Sequence, residues 1–424
     1  MKKLKIQGKN TLSGSIRISG AKNASVALIP AAILADSPVT ICNVPEITDT
    51  DALVEILEYL GADIKRASES ILINPETIIN KPIPSAISKK LRASYYFMAV
   101  LLGKYKHVEM YFPGGCSIGA RPIDQTLKGF RALGAQIKEE EDKYTIDAKE
   151  LIGARVYLDV PSVGATINTM LVAAKAVGET VIENAAKEPE IVNVATFLNN
   201  MGANITGAGT SEIRIQGVDK LEGCYTEVIP DRIEAGTYMI AGALVGDNLK
   251  IDNIIPEHVE TLTLKLKEMG VKLEVGPDYI VTSKTENLKP VRIKTLGYPG
   301  FATDLQQPIT TLLTQCEGIS TLEETIYENR FQNVPYLNDM GASIEIKENN
   351  RMITIKGKTE LTGTTVTATD LRAGACLVLA ALAASGETII ENIEHVLRGY
   401  ENILEKLTVV GAKIELLEEI KVNS

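Results

Sequence analysis

Six short stretches decide how this chain folds: YLGADIK (residues 59–65), ALGAQIK (132–138), NMGANIT (200–206), EMGVKLE (268–274), DMGASIE (339–345) and VVGAKIE (409–415). Their glycines, Gly61, Gly134, Gly202, Gly270, Gly341 and Gly411, recur at intervals of 73, 68, 68, 71 and 70 residues. A period of this length marks a repeated supersecondary unit. Ahead of each glycine the apolar residues keep a helical period, as in DALVEILEYL (51–60) and NILEKLTVV (402–410); behind it they alternate as a strand does. Glycine at that junction supplies the left-handed backbone that ends a helix.

Each repeat carries a second, far more apolar segment upstream: ASVALIPAAILA (24–35), ASYYFMAVLL (93–102), ATINTMLVAAKAV (165–177), AGTYMIAGALV (235–245), PITTLLTQC (308–316) and AGACLVLAALAA (373–384). Segments apolar around most of their circumference predict helices buried on nearly all sides. A strand pair with a glycine-containing turn precedes each, and a short strand follows. The unit therefore reads strand–strand–buried helix–strand–exposed helix–strand. Three such units wrap their sheets around three buried helices, so the expected class is α/β, with two domains of three units each. The boundaries fall at 21–229 for the first domain and at 1–20 plus 230–424 for the second. The N-terminal strands LKIQG and SIRIS have no unit ahead of them. They are expected to pair with the last strands, KIELLEEIKV, and so to belong to the second domain.

Composition excludes several classes. The 424 residues are 45% apolar and 23% charged, which is neither a disordered chain nor a disulfide scaffold. With 44 Lys and Arg against 54 Asp and Glu, the net charge is −10, and no basic tail offsets it. That argues against a nucleic-acid binder and directs attention to local clusters of cations. The start, MKKLKIQGKN, has no apolar core of a signal peptide, and the longest apolar run, Ala375–Ala384, is far short of the roughly 20 residues of a membrane span. Five scattered cysteines without a CxxC, and three scattered histidines, support neither a zinc site nor a disulfide framework. The expectation is a soluble, reduced, cytoplasmic protein.

The starts of the six buried helices are unusual. They read SGAKNAS (19–25), KLRAS (90–94), PSVGAT (161–166), PDRIEAGT (230–237), FATDLQQP (301–308) and TDLRAGA (369–375). Lys22 with Asn23, Arg92, Ser162 with Val163 and Gly164, Arg232, Asp304, and Asp370 with Arg372 thus sit where unpaired N–H groups and the positive helix end gather. Such ends favour anions, and added cations strengthen the preference. A purely structural end would carry Asp, Ser or Glu, which cap well. Pairing of each arginine with a neighbouring acid such as Asp231 or Asp370 is the plain alternative for any one residue, and it explains the set poorly.

The segment YFPGGCSIGARPIDQTLKGF (111–130) places Cys116 on a glycine-rich polar loop with Arg121 five residues on. An exposed thiol near a cation is a candidate for chemistry, whereas most free cysteines are small core hydrophobes. Cys42, Cys316 and Cys376 are read as core, and Cys224 as a strand residue.

Taken in order, SGAKNA, PGGCSIGARPIDQ, PSVGAT, EPEIVN, PDRIEAGT, TDLQQP, TIYENRF, DLRAGA and RGYE closely resemble the UDP-N-acetylglucosamine 1-carboxyvinyltransferases, enolpyruvyl transferases that begin peptidoglycan precursor synthesis. The resemblance spans essentially the whole chain. It implies a two-domain inverse α/β barrel with the active site in the cleft between domains. It also implies transfer of enolpyruvyl from phosphoenolpyruvate to the 3-hydroxyl of UDP-N-acetylglucosamine, with phosphate released and neither metal nor organic cofactor. By resemblance Cys116 is the general acid or a product-release residue, lies on a lid, and is the target of fosfomycin. Asp304 is the base that contacts the sugar hydroxyl. Lys22, Arg121 and Arg398 surround the phosphoenolpyruvate phosphate, and Arg330 and Arg372 lie near its carboxylate. Asn23, Arg92, Arg121, Pro122, Ile123, Asp124, Gln125, Ser162, Val163, Gly164, Asp304 and Ile326 correspond to the nucleotide-sugar site. Thr126 departs from the histidine frequent in the family and bears on uridine contacts or the lid.

The chemistry suits that inventory. Adding an alcohol to an enol phosphate needs an acid for the methylene carbon, a base for the hydroxyl and a cationic clamp. Arginine fits the clamp because its planar fork grips phosphate and carboxylate bidentately. Two alternatives stand beside this reading. An enolpyruvyl transferase acting on a shikimate phosphate shares the repeat and the SGAKN-like start but lacks this cysteine loop. A non-catalytic nucleotide-sugar-binding paralogue would be expected to have lost Cys116, Asp304 or Lys22, and all three are present.

Overall fold

The computed structural model describes residues 2–111, 123–347 and 349–418. These divide into two compact units, one formed by the described residues up to Ser19 and from Pro230 onward, the other by those from Gly20 to Ile229. Each unit has its own apolar core.

In the unit from Gly20 to Ile229 the central helices are α1 (Lys22–Ala31), α2 (Tyr96–Tyr105) and α3 (Val163–Ala173). Helix α2 packs on both of the others. In the other unit α4 (Arg232–Val245), α5 (Gln306–Leu313) and α6 (Leu371–Ala383) pack on one another. Five of the six are largely apolar, α5 adds buried Gln306, Gln307, Thr310 and Thr311, and nearly every residue of all six is buried. The sheets lie outside them, so helices are inside and strands outside.

The sheets repeat one pattern. In the sheets of α3, α5 and α6 the short strand that runs into the buried helix pairs in parallel with the strand that leaves it, as Arg155–Tyr157 does with Glu179–Glu183. An antiparallel pair completes the sheet, here Glu212–Gln216 and Asn204–Thr206. Tyr225–Glu227, at the end of its unit, pairs in parallel with Val39–Cys42 near its beginning and closes the set of three. All six repeat glycines have positive φ, between 90° and 109°, and Gly61 and Gly270 are themselves the helix caps. The helix–glycine–strand step read from the sequence is therefore present in every repeat, because only glycine takes this backbone without steric cost.

The N-terminal strands divide between two sheets. Lys2–Gln7 lies between Glu387–Glu391 and Lys413–Glu418, antiparallel to both, with Leu4 opposite Ile390 and Leu416. Leu4 and Ile6 are fully buried while Lys3 and Lys5 pair outward with Glu391 and Glu387, the alternation a half-buried strand requires. Ser15–Arg17 instead pairs in parallel with Leu249–Asp252. The expectation that both would join the last strands holds for the first alone. The second supplies the parallel edge strand that the sheet of helix α4 would otherwise lack.

The cysteine readings hold for Cys316 and Cys376, which are buried, and burial pushes both thiols up to about 11. Cys42 is half-buried on its strand rather than in the core, and Cys224 lies one residue ahead of the strand Tyr225–Glu227. Burial also raises the Cys224 thiol. High thiol pKa values leave these three as poor nucleophiles.

Candidate active site

The most constrained chemistry is in the unit that contains helices α4, α5 and α6. Asp304 lies in the short turn Thr303–Leu305 that leads into α5. Its Oδ1 accepts from Arg330 Nη2 at 2.7 Å and its Oδ2 from Arg372 Nη2 at 3.2 Å. The guanidinium side chains are only 3% and 6% exposed, while the aspartate is 25% exposed. One carboxylate is thus bracketed by two buried cations, one per oxygen, and is the member of the trio that faces outward. A carboxylate oxygen can accept more than one hydrogen bond, so these two arginine contacts do not by themselves stop a carboxylate from taking a proton from a hydroxyl.

Both arginines are themselves held. Arg372 Nη1 donates to the Tyr400 hydroxyl at 3.1 Å, and the guanidinium lies 5.5 Å from the Tyr400 ring centroid. Tyr400 in turn shares a 2.8 Å hydrogen bond with Thr237 of α4. Burial acts to lower the Arg372 pKa, but Asp304, Tyr400 and Asp231 together raise it above the ordinary arginine value. Arg330 Nη1 donates to Thr303 Oγ1 at 2.8 Å, and its guanidinium lies 5.1 Å from the Tyr327 ring centroid. Arg398 follows the helix Glu394–Leu397, two residues before Tyr400. Ile326, 40% exposed, is anchored through its main-chain N–H, which donates to Glu324 Oε1 at 2.7 Å.

The helix starts need a correction. Asp231 and Asp370 are ordinary caps, each accepting two backbone N–H groups of the first turn of α4 or α6, and Ser162 Oγ accepts from the Ala165 N–H at the start of α3. In those two aspartate-capped helices an arginine follows the cap, one residue on at Arg232 and two residues on at Arg372. Arg372 is free to turn toward Asp304 because Asp370 already serves the helix end. Arg232 lies over the Tyr298 ring, 5.6 Å from its centroid.

In the other unit, Lys22 opens α1 and its Nζ lies 3.0 Å from Asp49 Oδ2, with the lysine side chain 17% and the aspartate 3% exposed. Asn23 follows it. Arg92 opens the turn Arg92–Tyr95, and its guanidinium is 6.0 Å from the Tyr95 ring centroid. The Tyr95 hydroxyl sits against Gly164 so closely that a Cβ there would lie 1.8 Å from it. A larger residue in the first turn of α3 would have to displace the Tyr95 side chain, and Arg92, Tyr95 and the PSVGAT start form one packed group. Gln125 bridges two segments: its Oε1 accepts from the Asp159 N–H at 2.8 Å and its Nε2 donates to Asp124 and Asp159 at 2.9 and 3.0 Å. Ile123 immediately precedes this helix, Asp124–Ala132. Thr126 is 2% exposed, so its side chain belongs to the interior of its unit.

Cys116, Arg121 and Pro122 lie outside the described residues. Among the described residues no cluster of His, Cys, Asp or Glu is placed to hold a metal ion, and no helix is long and apolar enough to cross a membrane. Several partners escaped sequence reasoning: Asp49, Tyr95, Thr303, Glu324 and Tyr400. Tyr400 lies inside RGYE and Thr303 inside TDLQQP, so both were in view without a role. Glu324, just ahead of TIYENRF, looks like any acid beside a strand.

Comparison with known proteins covers the whole chain. The family described as EPSP synthase (3-phosphoshikimate 1-carboxyvinyltransferase) matches residues 6–407. UDP-N-acetylglucosamine 1-carboxyvinyltransferase 2 of Geobacillus kaustophilus is 52% identical, covering 99% of this chain and 100% of that one. The protein of the same name from Bacillus subtilis is 52% identical, covering 98% and 96%. Among solved structures, the enolpyruvyl transferase NikO from Streptomyces tendae matches with a TM-score of 0.89 at 28% identity, covering 98% of this chain and 99% of that one. EPSP synthase from Acinetobacter baumannii matches with a TM-score of 0.74 at 20% identity, covering 99% and 100%, a likeness of fold. The repeated strand–helix units are those of the inverse α/β barrel.

Proposed function

This chain belongs to the EPSP synthase family of enolpyruvyl transferases, and from that premise we propose that it transfers the enolpyruvyl group of phosphoenolpyruvate to the 3-hydroxyl of UDP-N-acetylglucosamine, the entry step of peptidoglycan precursor synthesis. The observation that carries the substrate is the identity of about half of all residues, end to end, with relatives that bear this activity in their name. The geometry of Asp304 supports the chemistry.

A proton adds to the methylene carbon of phosphoenolpyruvate while the sugar oxygen bonds to the adjacent carbon and its proton passes to Asp304. The resulting tetrahedral ketal then loses a proton from the new methyl group, and the C–O bond to phosphate breaks, which restores the double bond. Arg330 and Arg372 orient the Asp304 carboxylate and place positive charge beside the developing anion. Cys116 serves as the acid or in product release. Lys22, Arg121 and Arg398 take the phosphate, a task for which Lys22 is held ready by Asp49. Asn23, Arg92, Ile123, Asp124, Gln125, the Ser162–Gly164 helix start and Ile326 take the nucleotide sugar; the backbone N–H groups at the start of α3 suit its diphosphate.

The test is phosphate release with phosphoenolpyruvate and UDP-N-acetylglucosamine under chelator, with shikimate 3-phosphate in parallel. Turnover that requires the nucleotide sugar is expected. Release with shikimate 3-phosphate alone would overturn the substrate assignment, and tight nucleotide-sugar binding without release would favour a binding paralogue.

A further inference from the structure

Glu324 is 1% exposed, and the structure gives it an unusual set of partners. Its Oε1 accepts from Thr295 Oγ1 at 3.0 Å, the Ile326 N–H at 2.7 Å and the Tyr327 N–H at 3.2 Å. Its Oε2 accepts from Thr303 Oγ1 at 2.8 Å. A carboxylate taken out of water is costly unless donors replace the lost solvation, and four donors do so here. The polarity of the next link is forced. Thr303 has one hydroxyl proton, which goes to Glu324, and its oxygen accepts from Arg330 Nη1, because a guanidinium only donates. Arg330 Nη2 then reaches Asp304. The Tyr327 ring against which Arg330 lies is itself carried by the backbone that Glu324 holds.

We propose that Glu324 and Thr303 are positioning residues for proton transfer. The buried carboxylate orients the Thr303 hydroxyl, which fixes Arg330, which aims the Asp304 carboxylate. Through the Ile326 N–H the same carboxylate ties that aim to the segment assigned to the nucleotide sugar. The inference rests on the reading of Asp304 as the base, and it assigns the two sides of Glu324 different kinetic consequences.

Full-length Thr303→Val, Thr303→Ser and Glu324→Gln variants are compared with the wild type by phosphate release, varying each substrate, with thermal midpoints measured alongside. Thr303→Val keeps the shape and removes the hydroxyl; kcat is expected to fall about tenfold or more, the usual consequence of losing a hydrogen bond to a charged group, with both KM values and the midpoint little changed. Thr303→Ser restores the hydroxyl and recovers most of the loss. Glu324→Gln cannot accept at both ends; it loses kcat and also raises KM for the nucleotide sugar but not for phosphoenolpyruvate. Wild-type kcat in Thr303→Val, or equal losses in the valine and serine variants, overturns the relay irrespective of how Glu324→Gln folds. Failure of the parent reading looks different: the wild type itself would not release phosphate with UDP-N-acetylglucosamine.

Discussion

Replacing Glu234 by glutamine should change how the stability of its unit depends on pH. Glu234 lies buried in the first turn of α4, with Lys406 Nζ 2.6 Å from Oε1 and the Ser19 N–H donating to Oε2 at 2.8 Å. Burial pushes the carboxyl up and Lys406 pulls it down; burial is the larger effect, and the group ends at about 7 instead of 4.5. Ser19 also bonds Glu401 and Lys406, and its carbonyl accepts from the Asp231 N–H, so the cluster holds the two chain segments that enter and leave this unit. Between about pH 4.5 and 7 the folded chain keeps a proton that the unfolded chain has released. Stability from this group is therefore complete below 4.5 and is lost as pH rises through 7. At about 1.4 kcal/mol per pKa unit, a rise of that size corresponds to about 3 kcal/mol. For a unit of this size about 1 kcal/mol moves the midpoint by roughly 2–4 °C, so the effect is roughly 6–12 °C. Glutamine cannot titrate. The variant starts with a fixed offset from the altered Lys406 pairing, and its midpoint should gain on the wild type by roughly that amount between pH 4.5 and 7, by calorimetry. Parallel midpoint–pH curves for the two proteins would refute the argument.

Three further outcomes are expected. Gly164→Ala brings a methyl against the Tyr95 hydroxyl; the overpacking should cost about 1–3 kcal/mol and raise KM for the nucleotide sugar, and adding Tyr95→Phe should return part of the stability, as thermal unfolding would show. Arg398→Ala should weaken use of phosphoenolpyruvate more than binding of UDP-N-acetylglucosamine, and equal losses in kinetics and titration would reject its assignment to the phosphate. Cys116→Asp should abolish covalent labelling by fosfomycin while some turnover remains, and undiminished labelling by mass spectrometry would place the reactive thiol elsewhere.

Much of the fold was legible because it is local. A glycine that ends a helix, and a helix apolar on every side, leave signatures within a dozen residues, and six copies at near-equal spacing make the architecture readable from the chain alone. The ends of the buried helices were legible for the same reason. Lys22, Arg92, Asp304 and Arg372 therefore stand out from their position at a helix start, without reference to any partner.

What the amino-acid order could not reveal is which groups meet. Asp304 is bracketed by arginines 26 and 68 residues away, and Thr303 reaches a glutamate 21 residues on. Ser15–Arg17 and Lys2–Gln7, neighbours in sequence, enter different sheets because each fills the edge or gap that its own sheet leaves open. The repeat, the two sets of three buried helices and the residue types at their starts follow from amino-acid order alone, since periodicity and backbone sterics act between near neighbours. The placing of Asp304 between two buried cations, with Glu324 behind one of them, follows from the packing of distant segments. Such partners are chosen by packing distant segments together, and a desolvated charge accepts whichever donors that packing brings within reach.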